Sequence, residues 1–217
     1  MTLKIYADPI TINSRKVLAG LQFLQTDYEL MRLDFFAGEH KTEDYLALNP
    51  NGTVPLAQHD DLLLWESNAI LQYAADLQGD AQAYPTELRA RADVNRWLLW
   101  EASSWFPCCY LYLVENVGKP LQGEVPDQAL LEAQNAEFDL RAAILDKRLA
   151  DQEWLCGAQP TIADIAVAAP LHMHGEAKIP LERHTNLQRW MTQNIEALPS
   201  WQATWVGPGF TLERPKG

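Results

Sequence analysis

The residues best suited to chemistry lie between Asn49 and Leu77, in the run NPNGTVPLAQHDDLLLWESNAILQYAADL. Val54 precedes a proline and is therefore restricted to extended backbone, so its N–H and C=O could pair with a small peptide in the manner of strand addition. Further on, Glu66-Ser67 opens a helical pattern. The free N–H groups and positive dipole end of that first turn suit a carboxylate, and the Glu66 side chain could meet an ammonium beside it. A ligand with an amino-acid head group and a peptide body would satisfy all three features. The same residues also read as an ordinary hairpin followed by a capped helix, and spacing alone does not separate the two. A second group, Thr11, Asn13 and Ser14, sits where an extended run gives way to a helical one. Thr and Asn are both good N-cap residues, so by residue type they serve either the helix or a ligand. His172 and His174 look like an H-x-H metal pair, but positions two apart on a helix do not share a face, and no metal is expected.

These residues need elements to hold them. Leu3 and Ile5 give a first strand with period two; Val17, Leu18, Leu21 and Leu24 give a helix over 13–25; the stretch 28–34 alternates as a second strand. Two strands flanking one helix predict a parallel pair with a right-handed crossover. Thr42 caps a short helix, then Leu56–His59 and Leu62–Trp65 form a hairpin around Asp60-Asp61. Ser67 caps the next helix, with Ile70, Tyr73, Ala74 and Leu77 on one face. After the linker 78–85 every periodic segment is helical. Thr86 is the expected cap of a long helix through Trp97 and Trp100 that Pro107 should bend or break. Leu131, Phe138, Ala142, Leu145 and Leu149 mark a second long face, Thr161 and Asp164 have capping-box spacing, and Leu187 to Leu198 suggests another helix before a loop-like tail with Trp201 and Trp205. The expected architecture is an α/β domain over 1–78 and an all-α domain over 86–217.

Composition narrows the function. The chain has 217 residues, 47% hydrophobic and 21% charged, enough to bury a core unaided. A net charge of −12 argues against nucleic acid and polybasic membrane patches, and requires a local basic pocket for any anionic ligand. No apolar run suggests a signal peptide or a membrane span. Three cysteines, Cys108, Cys109 and Cys156, have no metal spacing, and reduced thiols in the cytoplasm are expected.

The pattern NPxGxVP, a hairpin, then ESxAI resembles the glutathione-binding half of the thioredoxin-like domain of glutathione transferases, and WLxGxxPTxAD resembles the capping motif of that family's helical domain. T-x-N-x-x-K-V is similar to the serine- and threonine-type members, phi-like or bacterial nu-like. The resemblance implies a thioredoxin-like domain before an all-helical substrate domain, glutathione as co-substrate, a homodimer, and detoxifying conjugation to a small hydrophobic electrophile. It further implies that Val54 precedes a cis-proline and bonds the cysteinyl part of glutathione, that Glu66 and Ser67 hold its γ-glutamyl end, and that His40 and Lys41, within GEHK, hold the glycine carboxylate. Thr53 stands in that site where many relatives have glutamine, and Ala7 where many have glycine. The absence of a cysteine from the 6–17 loop speaks against the beta and omega types.

The implied catalytic pair is Thr11 and Asn13, with Ser14 and Tyr6 as rivals for the sulfur. Lowering a thiol pKa of about 8.5 by two units takes about 2.7 kcal/mol. One hydrogen bond to the charged sulfur supplies roughly 1.5–3 kcal/mol and a helix N-terminus roughly 0.3–1, so no general base or metal is required. Trp100, Ser104, Trp105, Cys108 and Tyr112 form a stripe on the long helix, from which Trp105 and Cys108 are the expected electrophile pocket, although such aromatics also serve as core or dimer interface. Arg15 reads as a surface or dimer-contact residue. A glutathione-dependent disulfide reductase and a non-catalytic binding module remain open alternatives.

Overall fold

The structure is a computed structural model and describes residues 2–206. Strand β1 (Leu3–Ala7) buries its alternate positions Leu3, Ile5 and Ala7. Helix α1 (Ile12–Phe23) then leads to β2 (Tyr28–Arg32), which runs parallel to β1 with Leu3 opposite Tyr28. A 3-10 turn (Glu39–Lys41) and α2 (Glu43–Leu48) follow, the latter capped by Thr42, which accepts the Tyr45 N–H. The hairpin is β3 (Leu56–His59) and β4 (Leu62–Trp65), and β3 also pairs antiparallel with β1. The sheet order is therefore β2-β1-β3-β4. Helix α3 (Ser67–Gln78) packs beside α1 at Gly20, where any Cβ would collide with Leu71.

The second half is helical. Glu87, one residue beyond the expected Thr86, caps α4 (Leu88–Trp100) by accepting the N–H groups of Arg89 and Ala90. A π-helical turn (Glu101–Trp105), α5 (Phe106–Leu113), a second π turn (Val114–Gly118) and α6 (Lys119–Leu121) continue the same path. Pro107 thus does not break the helix. The wide turn just before it relieves the proline, whose ring would otherwise crowd the preceding turn and whose missing N–H would leave a gap in the ladder. Helix α7 (Gln128–Leu149) buries the expected face, Leu131 to Leu149.

At α8 (Ile162–Ala168) both halves of the Thr161/Asp164 capping box are made. Burial pushes the Asp164 carboxyl up to about 6, against hydrogen bonds from the N–H groups of Leu155 and Thr161 and from Trp190 Nε1. Helix α9 (Thr185–Arg189), a π turn (Trp190–Ile195) and α10 (Pro199–Ala203) complete the described chain. Trp201, expected in a loop, lies within α10 and is buried, whereas the expected tail beyond residue 206 lies outside the described residues. One apolar core joins Ile5, Val17 and Leu71 of the first half to Val94, Trp105 and Ile165 of the second. Among the described residues no helix is long and apolar enough to cross a membrane.

Candidate functional site

The loop from β1 to α1 is organised by Asp8, whose buried carboxylate accepts the N–H of Ile10 at 3.2 Å and the N–H of Phe35, after β2, at 2.9 Å. Its backbone carbonyl receives the Thr11 N–H at 3.0 Å. Thr11 occupies the N-cap position of α1, yet its side chain makes no capping bond. The hydroxyl instead lies 3.0 Å from the Asp8 carbonyl oxygen and 2.7 Å from the Ser14 hydroxyl. Asn13 faces the start of α3, accepting from the Ser67 hydroxyl at 3.4 Å. Tyr6 turns across the sheet and donates to Gln58 Oε1 at 3.0 Å.

The Asn49–Val54 turn is tied from inside. Buried Asn49 donates to the Thr53 carbonyl at 2.8 Å while its Oδ1 accepts the Asn51 N–H, and Tyr45 OH donates to the same Thr53 carbonyl at 2.6 Å. Gly52 adopts φ +55°, and a side chain there would meet Leu46 and the Lys41 ammonium. The Val54–Pro55 bond is cis. Among the described residues, neither the N–H nor the C=O of Val54 is taken by backbone pairing. At the helix start Glu66, not Ser67, holds the cap position, at φ +74°. A non-glycine residue held there costs on the order of 1–3 kcal/mol and marks a position fixed by its surroundings.

Lys41 Nζ donates to the Gly52 carbonyl at 2.7 Å, which joins the GEHK turn to the Val54 turn and leaves two of three ammonium protons for another acceptor. His40 is buried and stacks on Phe35, ring centroids 4.3 Å apart. Burial, and then Lys41, lower its pKa from the ordinary imidazole value. Asp8 holds Phe35 and Phe35 holds His40, so one buried carboxylate links the Thr11 and His40 ends of the site.

Beneath Ser67 lies a feature that sequence reading did not find. Lys16 is fully enclosed and donates to Glu101 Oε2 at 2.7 Å and to the Ser67 hydroxyl at 3.1 Å, while Asn68 Nδ2 donates to the same Glu101 oxygen at 2.9 Å. Burial lowers the Lys16 pKa and the Glu101 carboxylate opposes that shift. Arg15, expected at the surface, is 1% exposed. It donates to the carbonyls of Thr204 (2.9 Å) and Trp201 (3.0 Å), stacks over the Trp201 ring, and burial brings its pKa down to about 9.

Trp105 and Cys108 are not brought to this site. Trp105 is 0% exposed, stacks on Phe138 and gives its indole N–H to the Val167 carbonyl; Cys108 is buried against Gln134. The stripe on which they were expected turns into the helical core. Its neighbour Phe106 is half-buried, stacks on exposed Tyr110 at 5.3 Å, and has its ring 6.0 Å from Lys16 Nζ, on the side of the helix facing the Thr11–Ser67 cluster. His172 and His174 part company: His172 Nδ1 meets the Ala169 carbonyl and His174 pairs with Glu196.

Residues 1–76 match the glutathione S-transferase N-terminal domain and residues 113–199 the C-terminal domain. Glutathione S-transferase GstB of Escherichia coli K12 is 34% identical over 186 residues, which are 85% of this chain and 88% of that protein. The chain belongs to the glutathione S-transferase family. Among solved structures, the theta class glutathione S-transferase of Xanthomonas axonopodis pv. citri, with glutathione bound, superposes with a TM-score of 0.84 at 29% identity, covering 94% of this chain and 96% of that one. Glutathione transferase F7 of Populus trichocarpa gives 0.85 at 27% identity, covering 94% and 97%. As a glutathione S-transferase the chain is a transferase, and glutathione is its co-substrate. The α/β unit with its mixed four-stranded sheet and the helical unit after it are the two parts of that fold.

Proposed function

We propose that this glutathione S-transferase activates the glutathione thiol as a thiolate at Thr11 and joins it to hydrophobic electrophiles. The observation that carries the reading is the Thr11 hydroxyl, which stands at the N-terminus of α1 without capping it. In this reading residues 1–78 bind glutathione. The Val54 backbone pairs with its cysteinyl part, Glu66 and Ser67 hold the γ-glutamyl end, His40 and Lys41 hold the glycine carboxylate, and Thr53 borders that end. Asn13, bonded to Ser67, supports the sulfur end. Thr11 donates to the sulfur, supplying roughly 1.5–3 kcal/mol, and the helix end adds roughly 0.3–1, together enough for a drop of about two pKa units. The thiolate then attacks the electrophile, forming the carbon–sulfur bond as the leaving group departs or the acceptor takes up charge.

The electrophile would come from the helical domain, 86–217. Burial of Trp105 and Cys108 shifts its apolar wall to Phe106 and Tyr110. Exposed Leu62, Trp65, Leu88 and Leu99 support a homodimer, and three unpaired cysteines support a cytoplasmic, reducing location. The test is the ultraviolet absorbance of the bound thiolate against pH. Thr11→Ser should titrate like wild type, and Thr11→Val, which keeps the shape and loses the donor, should titrate higher by about one to two units. A valine variant titrating like wild type removes Thr11 from the sulfur.

A further inference from the structure

We propose that Ser14 is a positioning residue, which fixes the direction of a two-hydroxyl hydrogen-bond chain that ends on the glutathione sulfur; this rests on the reading of Thr11 just given. Ser14 is 0% exposed, two residues into α1, and its hydroxyl lies 2.7 Å from Thr11 Oγ1. Among the described residues no other hydrogen-bond partner of that hydroxyl is found. Water does not reach it, and neither does a ligand.

Proton counting gives the consequence. Each hydroxyl carries one proton and can also accept, whereas a backbone carbonyl can only accept. Without a ligand two arrangements fit the distances. Thr11 can give its proton to Ser14, or it can give it to the Asp8 carbonyl at 3.0 Å while Ser14 donates to Thr11. A thiolate is also only an acceptor. Once Thr11 turns its proton to the sulfur, the Ser14 proton has one destination, Thr11 Oγ1. The Asp8 carbonyl is not stranded by the change, because it keeps the Thr11 N–H at 3.0 Å. The turn therefore leaves no buried polar atom unpaired. The resulting chain, Ser14 to Thr11 to sulfur, runs head to tail, so the first bond polarises the second. It also holds the Thr11 hydroxyl oxygen in place.

The burial that lets Ser14 serve Thr11 keeps it from serving the sulfur itself. Ser14 and Thr11 are then partners in one device and not rivals. Their substitutions must be non-additive, as expected for groups that act as one network.

The experiment is the thiolate titration on wild type, Ser14→Ala, Thr11→Val and the double variant, with circular dichroism to establish folding. Ser14→Cys, which keeps the side-chain shape with a slightly larger atom and offers a weaker donor, serves as the second variant at this position. With Thr11 present, Ser14→Ala should raise the bound thiol's pKa by roughly 0.1–0.6 unit, about 10–30% of the roughly one to two units the Thr11 bond supplies, and Ser14→Cys should fall between alanine and serine. With valine at position 11, Ser14→Ala should change nothing. If wild type lowers the thiol pKa and Ser14→Ala and Ser14→Cys titrate with it, the chain is wrong and Thr11 acts alone. An equal shift in the valine background means that Ser14 acts independently of Thr11, which also overturns the proposal. Should wild type itself fail to lower the thiol pKa, the reading of Thr11 falls and this one with it.

Discussion

Replacing Glu101 with glutamine should cost more stability than any conservative change at the surface of this protein. Lys16 and Glu101 are 2% and 0% exposed, and their 2.7 Å contact joins the first helix to the helical half. Glutamine keeps the shape and one oxygen for Asn68 and Lys16, but it removes the paired charge and leaves the Lys16 ammonium bonded to neutral oxygens alone, those of the new amide, Ser67 and Asn68. Removing one member of a buried pair costs roughly 3–5 kcal/mol, against a total stability of roughly 5–15 kcal/mol. At about 2–4 °C per kcal/mol for a chain of this size, the melting temperature should fall by roughly 6–20 °C. The double variant Lys16→Met, Glu101→Gln removes both charges and should recover most of the loss, because the penalty belongs to the uncompensated ammonium and not to the missing attraction. Thermal and guanidinium unfolding of the four proteins in the cycle supply the numbers. A single Glu101→Gln variant within 1 kcal/mol of wild type, or a double variant no better than the single, would refute the reasoning.

Two further outcomes follow from the same structure. Phe106→Ala should raise KM for an aromatic electrophile and leave KM for glutathione unchanged, whereas Trp105→Ala should act on stability, by roughly 3–5 kcal/mol, as a fully buried tryptophan does; the opposite pattern in steady-state kinetics and melting would return Trp105 to the pocket. Burial holds His172 at about 3, below its ordinary value of 6.5, so below pH 6.5 the unfolded chain binds the extra proton and the folded protein does not. Stability from His172 is therefore lost as pH falls, while Asp164, raised to about 6 by burial, works in the opposite direction below that pH. Comparison with His172→Gln cancels the Asp164 contribution: wild type should lose roughly 2 kcal/mol relative to the variant between pH 6.5 and 5, at 1.36 kcal/mol per unit, and parallel stability curves would contradict it.

Local patterns carried the fold. Period-two alternation gave β1, the residues around Asp60-Asp61 gave the hairpin, and Thr161 with Asp164 gave the start of α8, because each of these is decided by neighbours within a few positions. Of the two outcomes expected at Pro107, a bend or a break, the break does not occur, because a wide turn that has no sequence signature of its own accommodates the proline. Trp105 and Phe106 show the limit of periodicity: one position along a helix is about 100° of rotation, enough to exchange the buried core for a half-buried position. Within the site, Thr11, Asn13 and Ser67 were legible as a motif, whereas Asp8, Lys16 and Glu101 were not. Asp8 reads as a turn residue, yet one of its carboxylate oxygens serves Phe35, 27 positions away. Arg15 and Lys16 look like the solvated side of a helix. Only the arrival of distant segments makes them interior residues.

Those distant segments have a bearing on how the chain is made. Helix α1 leaves the ribosome early, but the carboxylate that pairs with Lys16 lies 85 positions later and the carbonyls that accept from Arg15 lie 186 and 189 positions later. At roughly 5–20 residues per second, Arg15 waits roughly 10–40 seconds for the carbonyls of Trp201 and Thr204 to be synthesised. Throughout that interval the nascent thioredoxin-like half has two guanidinium and ammonium groups on its central helix that must stay in water. It cannot close its core on that side. The first half of the protein to be translated is thus obliged to be among the last to finish folding, and the same half expressed alone, or grafted onto a partner lacking these acceptors, would keep two charges in water where the whole protein buries them.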